Sequence, residues 1–212
     1  MTVKRIATTP TDAAQIPALL DKAGIPFSDV QIVNWNEYPY CPTAQVRMAL
    51  TPDTLLIHYH VDEQATLARY ANDGDAVWTD SCMECFLLGN DARTYYNIEC
   101  SCIGTLLIGR GEERDHRTPL GPALLDTVSR WSSLGRQPFG LRNEPTSWDL
   151  TLAIPFSVLG TDSAIFDAPA FKGNVYKCGD DLPTPHFVSL FPIPVLEPNF
   201  HRPDHFGTFT VE

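Results

Sequence analysis

The sequence predicts an all-β protein, a sandwich or barrel of roughly ten short strands, with one short helix near its N-terminus. Two observations carry this. The apolar residues alternate with period two over most of the chain. In addition, 18 Pro and 13 Gly are spread through the 212 residues rather than clustered, which suggests many turns between short strands. At 43% hydrophobic and 19% charged residues, the composition is that of an ordinary globular chain long enough to bury a core without staples.

Residues 11–24 read as the helix. Ile16, Leu19 and Leu20 can share one face, Pro17 fits only in a first turn, and Gly24 is a plausible stop. From there the period is two. In Thr54–Val61, Leu55, Ile57, Tyr59 and Val61 would face one side, and Leu56, His58 and His60 the other. In Trp148–Ile154, Trp148, Leu150, Leu152 and Ile154 would turn into the core. Val30–Trp35, Gln45–Leu50, Ser81–Leu88, Tyr95–Cys102, Thr105–Ile108, Val128–Ser132, Lys172–Lys177 and Gly207–Val211 complete the strands. Gly109–Pro122, rich in charge, and Gly179–Pro203, rich in proline, read as loops. Long loops in a compact domain are often functional. The organisation expected is an N-terminal extension over 1–28, packed on a β-sandwich over 29–212.

The formal net charge of −11 repels a phosphate backbone, so nucleic acid is not an expected partner. No apolar run approaches the roughly 20 residues of a membrane span, so no membrane is expected either. Met1–Thr9 holds Lys4 and Arg5 with no apolar stretch behind them. That suits a cytoplasmic protein; a secreted one would need a leader upstream. Cys82, Cys85, Cys100 and Cys102 lie in strand-like sequence and read as reduced, buried thiols. Cys82 and Cys85 would point to opposite faces, which argues against a shared zinc ion. His58 and His60 with His201 and His205 would meet at a metal only if the last loop folded back. No motif demands a cofactor, and no metal ligand is assigned; a structural calcium ion at Asn72-Asp73-Gly74-Asp75 is favoured over these transition-metal readings.

Three stretches can carry chemistry. In Trp78–Phe86, the strand period puts Cys82, Glu84 and Phe86 on one side, a side Asp80 can share, with Trp78 at the strand's start. An aromatic face stacks on the C–H face of a pyranose while fixed polar groups bond its hydroxyls. Tyr95–Cys102 would pair with that strand through Gly89–Arg93, bringing Asn97 and Glu99 near Glu84. Pro198–Gly207 gathers aromatic, basic and acidic groups that could wall a pocket. The chain has no nucleophile-elbow, zinc-protease or P-loop pattern.

These residues resemble carbohydrate-binding module family 9, in its branch of small stand-alone proteins. The likeness lies in Trp78-Thr79-Asp80-Ser81 followed by the alternating Glu84-Cys85-Phe86, in Trp148 to Pro155, in Asn174–Asp180 with Pro185-His186-Phe187, and in Asn199–Pro203 before Phe206-Gly207. It spans roughly Trp35 to Val211. It implies an immunoglobulin-like β-sandwich that binds the end of a glycan without catalysis, in carbohydrate catabolism. The family sandwiches a terminal sugar between two Trp rings and bonds it with a Glu and an Arg. Trp78 and Glu84 match the first ring and the carboxylate. Asn97 stands where the Arg is expected, and Phe191 or Phe200 would replace the second Trp. The expected partner is a mono- or oligosaccharide, held by Trp78, Asp80, Glu84, Asn97, Phe191, Phe200 and His201, with no catalytic residue. The alternatives are a carbohydrate-active enzyme using Glu84 and Asp80 as acid and base, marked by product formation, and a haem or metal-binding sandwich, marked by visible absorption.

Overall fold

The two alternating segments are neighbours. In the computed structural model, which describes all 212 residues, Thr54–Glu63 pairs antiparallel with Thr146–Pro155. Val61 stands opposite Trp148, Tyr59 opposite Leu150, Ile57 opposite Leu152 and Leu55 opposite Ile154. All eight side chains are fully buried in one core. The period-two reading therefore gave the inward face of both strands, and the structure adds their register. Thr43–Leu50 adds to one side and Ser129–Ser132 to the other, completing a back sheet.

A front sheet packs over it. Its strands run in the order Arg117–Pro119, Leu106–Gly111, Tyr95–Ser101, Cys82–Leu88, Ala170–Cys178 and Gly207–Val211. Met83, Cys85, Leu87, Ile98, Cys100, Val175 and Phe209 point back into the same core. Each fully buried Leu, Ile, Val or Phe in such a layer stabilises by roughly 1.5–3 kcal/mol. The result is a two-sheet β-sandwich.

The sheets are laced together at two places where the chain crosses between them. In Thr2–Arg5, Thr2 and Val3 pair with Thr210 and Val211 of the front sheet, while Lys4 and Arg5 pair with Ala49 and Leu50 of the back sheet. Further on, Ser28–Asp29 pairs with the back sheet and Ile32–Val33 with Phe187–Ser189 on the front. The strand expected over Val30–Trp35 is cut to two residues by this crossing. The first 28 residues are accordingly woven into the sandwich as well as packed on it.

The helix forms at Ile16–Lys22, preceded by a 3-10 turn at Ala13–Gln15. The Asp12 carboxylate accepts from the Ala14 amide at 2.8 Å, Pro17 sits in the first turn, and Gly24 ends it at φ +63°. Ile16 and Leu20 cover Ala49, Leu56 and Ala153 on the outer face of the back sheet. No helix is long and apolar enough to cross a membrane.

Several expectations need correction. Gly109–Pro122 is largely ordered structure, because Arg117–Pro119 folds back on Gly109–Gly111 as a hairpin. His58 and His60 contact Asp149 on the back sheet, on a face opposite to the one carrying His201, so the sandwich separates the two histidine groups. Asp73 accepts from the Leu106 amide and from Arg130, at 2.9 and 2.7 Å. Asp73 Oδ1 is thus engaged within the protein.

Candidate functional site

The outward face of the front sheet should meet water, yet its side chains are apolar or buried. On Cys82–Leu88 the outward set is Cys82, Glu84 and Phe86; on Tyr95–Ser101 it is Tyr95, Asn97 and Glu99; on Ala170–Cys178 it ends in Tyr176 and Cys178. The covering layer is the proline-rich segment after Ser189. Phe200 stacks on Tyr176 with ring centres 4.1 Å apart, and the Tyr176 hydroxyl donates to the Phe200 carbonyl at 3.1 Å. The Tyr95 hydroxyl meets His201 Nδ1 at 2.9 Å. Burial pushes Tyr95 up to about 12. Burial, then Arg117 and Arg114, pulls His201 down to about 3. Both groups are neutral near pH 7, and the pair pins the loop to the sheet.

Where this cover ends, a cavity of about 170 Å³ opens between loop and sheet. Trp78, Phe187 and Phe200 give it aromatic walls, and Glu84, Glu99 and Cys178 form its floor. Arg114, Arg117 and Asp180 stand around it, with Asn199 and His201 on the loop side. The half-buried Trp78 lies in a 3-10 turn, Val77–Thr79, tied down by the Asp181 amide donating to the Thr79 carbonyl at 2.9 Å. An aromatic residue in a turn just before the strand can present its ring to the cavity instead of the core.

The floor is electrostatically unusual. Glu84 and Glu99 are each 3% exposed. Burial, and for Glu84 the neighbouring Glu99, raises both above the usual carboxylate range. Glu84 accepts from the Cys178 thiol at 3.0 Å. Glu99 has stronger partners, with the Asn97 amide donating at 2.7 Å and Arg117 at 3.5 Å. Glu84 is therefore the member that keeps its proton longer. Glu99 Oε2 is buried with no hydrogen-bond partner. Asp180 is pushed up to about 6, by burial and then by Asp181. The cavity thus joins aromatic surface to closely spaced donors and acceptors, which suits a polyhydroxylated ring.

The structure brings Trp78, Glu84, Phe200 and His201 to this cavity, and sets the other three residues apart. Asp80 is fully buried, bonded to Arg69 through its amide and its Nε, the latter at 2.8 Å. It closes the 3-10 turn ahead of the strand and faces Arg69, which removes Glu84 and Asp80 as an acid–base pair. Asn97 lies behind Glu99 and orients it. Phe191 packs on Phe209, its ring against the bare Cα of Gly207, where a Cβ would come within 2.3 Å.

Sequence reasoning missed Arg114, Arg117 and Asp180. Arg117 belongs to a three-residue strand that includes Pro119, too short for any period to show. Asp180 follows Gly179 in ordinary turn composition. Glu99 was legible as a neighbour of Glu84, though without a role. Cys82, Glu84 and Cys178 also converge, and they are the residues that could hold a metal.

A sandwich whose covered outer face carries a small aromatic and polar cavity has the architecture of a small-ligand binding module. The description of carbohydrate-binding family 9 matches residues 14–211, and the chain belongs to that family. It is 39% identical, over 100% of this chain and 98% of the other, to a candidate carbohydrate-binding protein of Bacteroides uniformis, with a TM-score of 0.92. Two structures of a family 9 module from Caldicellulosiruptor kristjanssonii share the fold. One, in complex with glucose, has a TM-score of 0.56 at 12% identity and covers 100% of this chain and 96% of that one. The other, with cellotriose, has a TM-score of 0.55 at 11% identity, covering 100% and 94%. No curated protein matches the chain.

Proposed function

We propose that the cavity binds the terminal unit of a glycan without catalysis, serving carbohydrate catabolism. The observation that carries this reading is the pairing of a half-buried indole, Trp78, with a nearly buried carboxylate, Glu99, whose second oxygen has no partner in the protein. The indole supplies a stacking face, and a sugar hydroxyl at the floor would give the buried, unpaired oxygen its partner. Phe200 and Phe187 stand in for a second indole, and Arg117 supplies the guanidinium from a different strand than the sequence suggests. A cavity of about 170 Å³ admits one small ring, which favours chain ends over chain interiors.

The glucose and cellotriose complexes of the Caldicellulosiruptor module make gluco-configured ends the first ligands to test. A glycan array followed by calorimetry checks the reading. A saturable one-site interaction with a defined terminal sugar supports it, and an array with no bound glycan overturns it.

A further inference from the structure

At the cavity floor, Glu84 is joined by two thiols, Cys82 and Cys178, that sugar binding does not use. Cys82 and Cys178 are direct partners across two antiparallel strands, Cys82–Leu88 and Ala170–Cys178. Both thiols point to the outer face of the front sheet, and they are 0% and 1% exposed. The Glu84 carboxylate, two residues along the first strand, shares that face. One donor atom from each of the three lies within 4.8 Å of the other two, and Cys178 Sγ is 3.0 Å from Glu84 Oε1.

We propose that Cys82, Cys178 and Glu84 form a binding site for a thiophilic divalent cation of the zinc class, with its open side toward the cavity. In tetrahedral zinc coordination, with Zn–S near 2.3 Å and Zn–O near 2.1 Å, ligand atoms stand about 3.5–3.8 Å apart. The three donors need only small side-chain rotations to reach that spacing. Their backbones are already fixed by the ladder of a central strand pair, so little ordering remains to be done on binding. Two thiolates select zinc-class ions over calcium or magnesium, which prefer oxygen. Outside the cluster itself, the thiols' contacts are weak and replaceable: Cys82 Sγ to the Met83 carbonyl at 3.6 Å and Cys178 Sγ to the Trp78 carbonyl at 3.4 Å. Glu84 and Cys178 line the cavity, so an ion held here keeps a fourth position open to it. Cys85 and Cys100 face the core between the sheets and take no part, which is why a site read from the spacing of Cys82 and Cys85 looked unpromising.

Reduced protein titrated with cadmium ion reads the site directly through the thiolate-to-metal charge-transfer band. The band should saturate at one equivalent, with release of the thiol protons. Cys82→Ser and Cys178→Ser should each weaken binding by at least about tenfold, or abolish it. Cys85→Ser, Cys100→Ser and the exposed Cys41→Ser should titrate as wild type. Should a cysteine variant fail to fold, Glu84→Gln gives the same reading with both sulfurs in place: the band persists at weaker affinity. The wild-type unfolding midpoint should also rise with cadmium or zinc. Absence of a saturable band, a band unchanged in Cys82→Ser and Cys178→Ser, or a band lost only in Cys41→Ser would overturn the site. Metal binding and glycan binding are measured separately, so failure of either leaves the other standing.

Discussion

Glu84 and Glu99 stand directly opposite each other on adjacent antiparallel strands, each 3% exposed. Like charges so placed repel, and burial disfavours ionising either. Glu99 is held by Asn97 and Arg117, which leaves Glu84 as the group that retains its proton. Its folded pKa lies above the unfolded value, so the folded state binds more protons, and this contribution to stability is lost as pH rises above about 4.3. Glu84→Gln mimics the protonated acid. In chelator-treated protein, it should gain stability relative to wild type as pH is raised, read by thermal unfolding at a series of pH values. A relative loss on raising pH would reverse the assignment.

Glu63 and Lys177 form the reverse case. Lys177 sits in the strand pattern as if it were a core residue and is fully buried, with Nζ 2.8 Å from Glu63 Oε2. Glu63 also accepts from the Trp148 indole at 2.8 Å. One partner comes from each sheet, so the pair joins the layers from inside. Glu63→Ala leaves a buried ammonium uncompensated and should cost about 3–5 kcal/mol in denaturant unfolding. Lys177→Met with Glu63→Gln, which removes both charges, should cost much less. Equal losses in the single and double variants would show that the charges are not coupled.

His186 touches the same ammonium. Lys177 Nζ lies 2.8 Å from its Nε2, and its Nδ1 donates to the Thr184 carbonyl at 3.0 Å. Burial first, and Lys177 second, pull it down to about 3. The unfolded chain therefore binds more protons between pH 3 and about 6.5, and stability from this group rises with pH across that window. Acidification from pH 6.5 to 4 should destabilise wild type more steeply than His186→Gln. Parallel pH profiles would contradict this.

Arg117 reaches the cavity floor, with its Nη1 3.5 Å from Glu99 Oε1. Arg117→Met removes the charge that helps hold Glu99 ionised, while keeping much of the side-chain bulk. Glycan affinity should fall by about tenfold or more, with folding preserved because the guanidinium sits at the cavity's edge. Wild-type affinity in this variant would remove Arg117 from the site.

The sandwich was legible because its core strands alternate cleanly, as Trp148, Leu150, Leu152 and Ile154 show. Trp78 and Glu84 were legible for a similar reason, since period two fixes Glu84's face and the turn residue precedes the strand. Thr2–Arg5 escaped notice because each half of it answers to a different sheet, and Val30–Trp35 was overextended for the same reason. Asp80 misled because a residue that closes the turn before a strand does not inherit the strand's alternation; Arg69 claims it instead. The partners of Glu99 and Lys177 are set by tertiary packing, which local pattern does not carry.

The central claim is that Trp78 provides the stacking face for a terminal sugar. Isothermal titration of wild type, Trp78→Ala and Glu84→Gln with the glycan found by array screening tests it most directly. Stacking buries apolar area, whereas Glu84→Gln keeps a hydrogen-bonding group in place and forfeits only about 1 kcal/mol. Trp78→Ala, folded as wild type by circular dichroism, should show no detectable binding, and Glu84→Gln should bind about tenfold more weakly or less. Wild-type affinity in a folded Trp78→Ala protein would contradict the account and leave the family fold without this mode of binding.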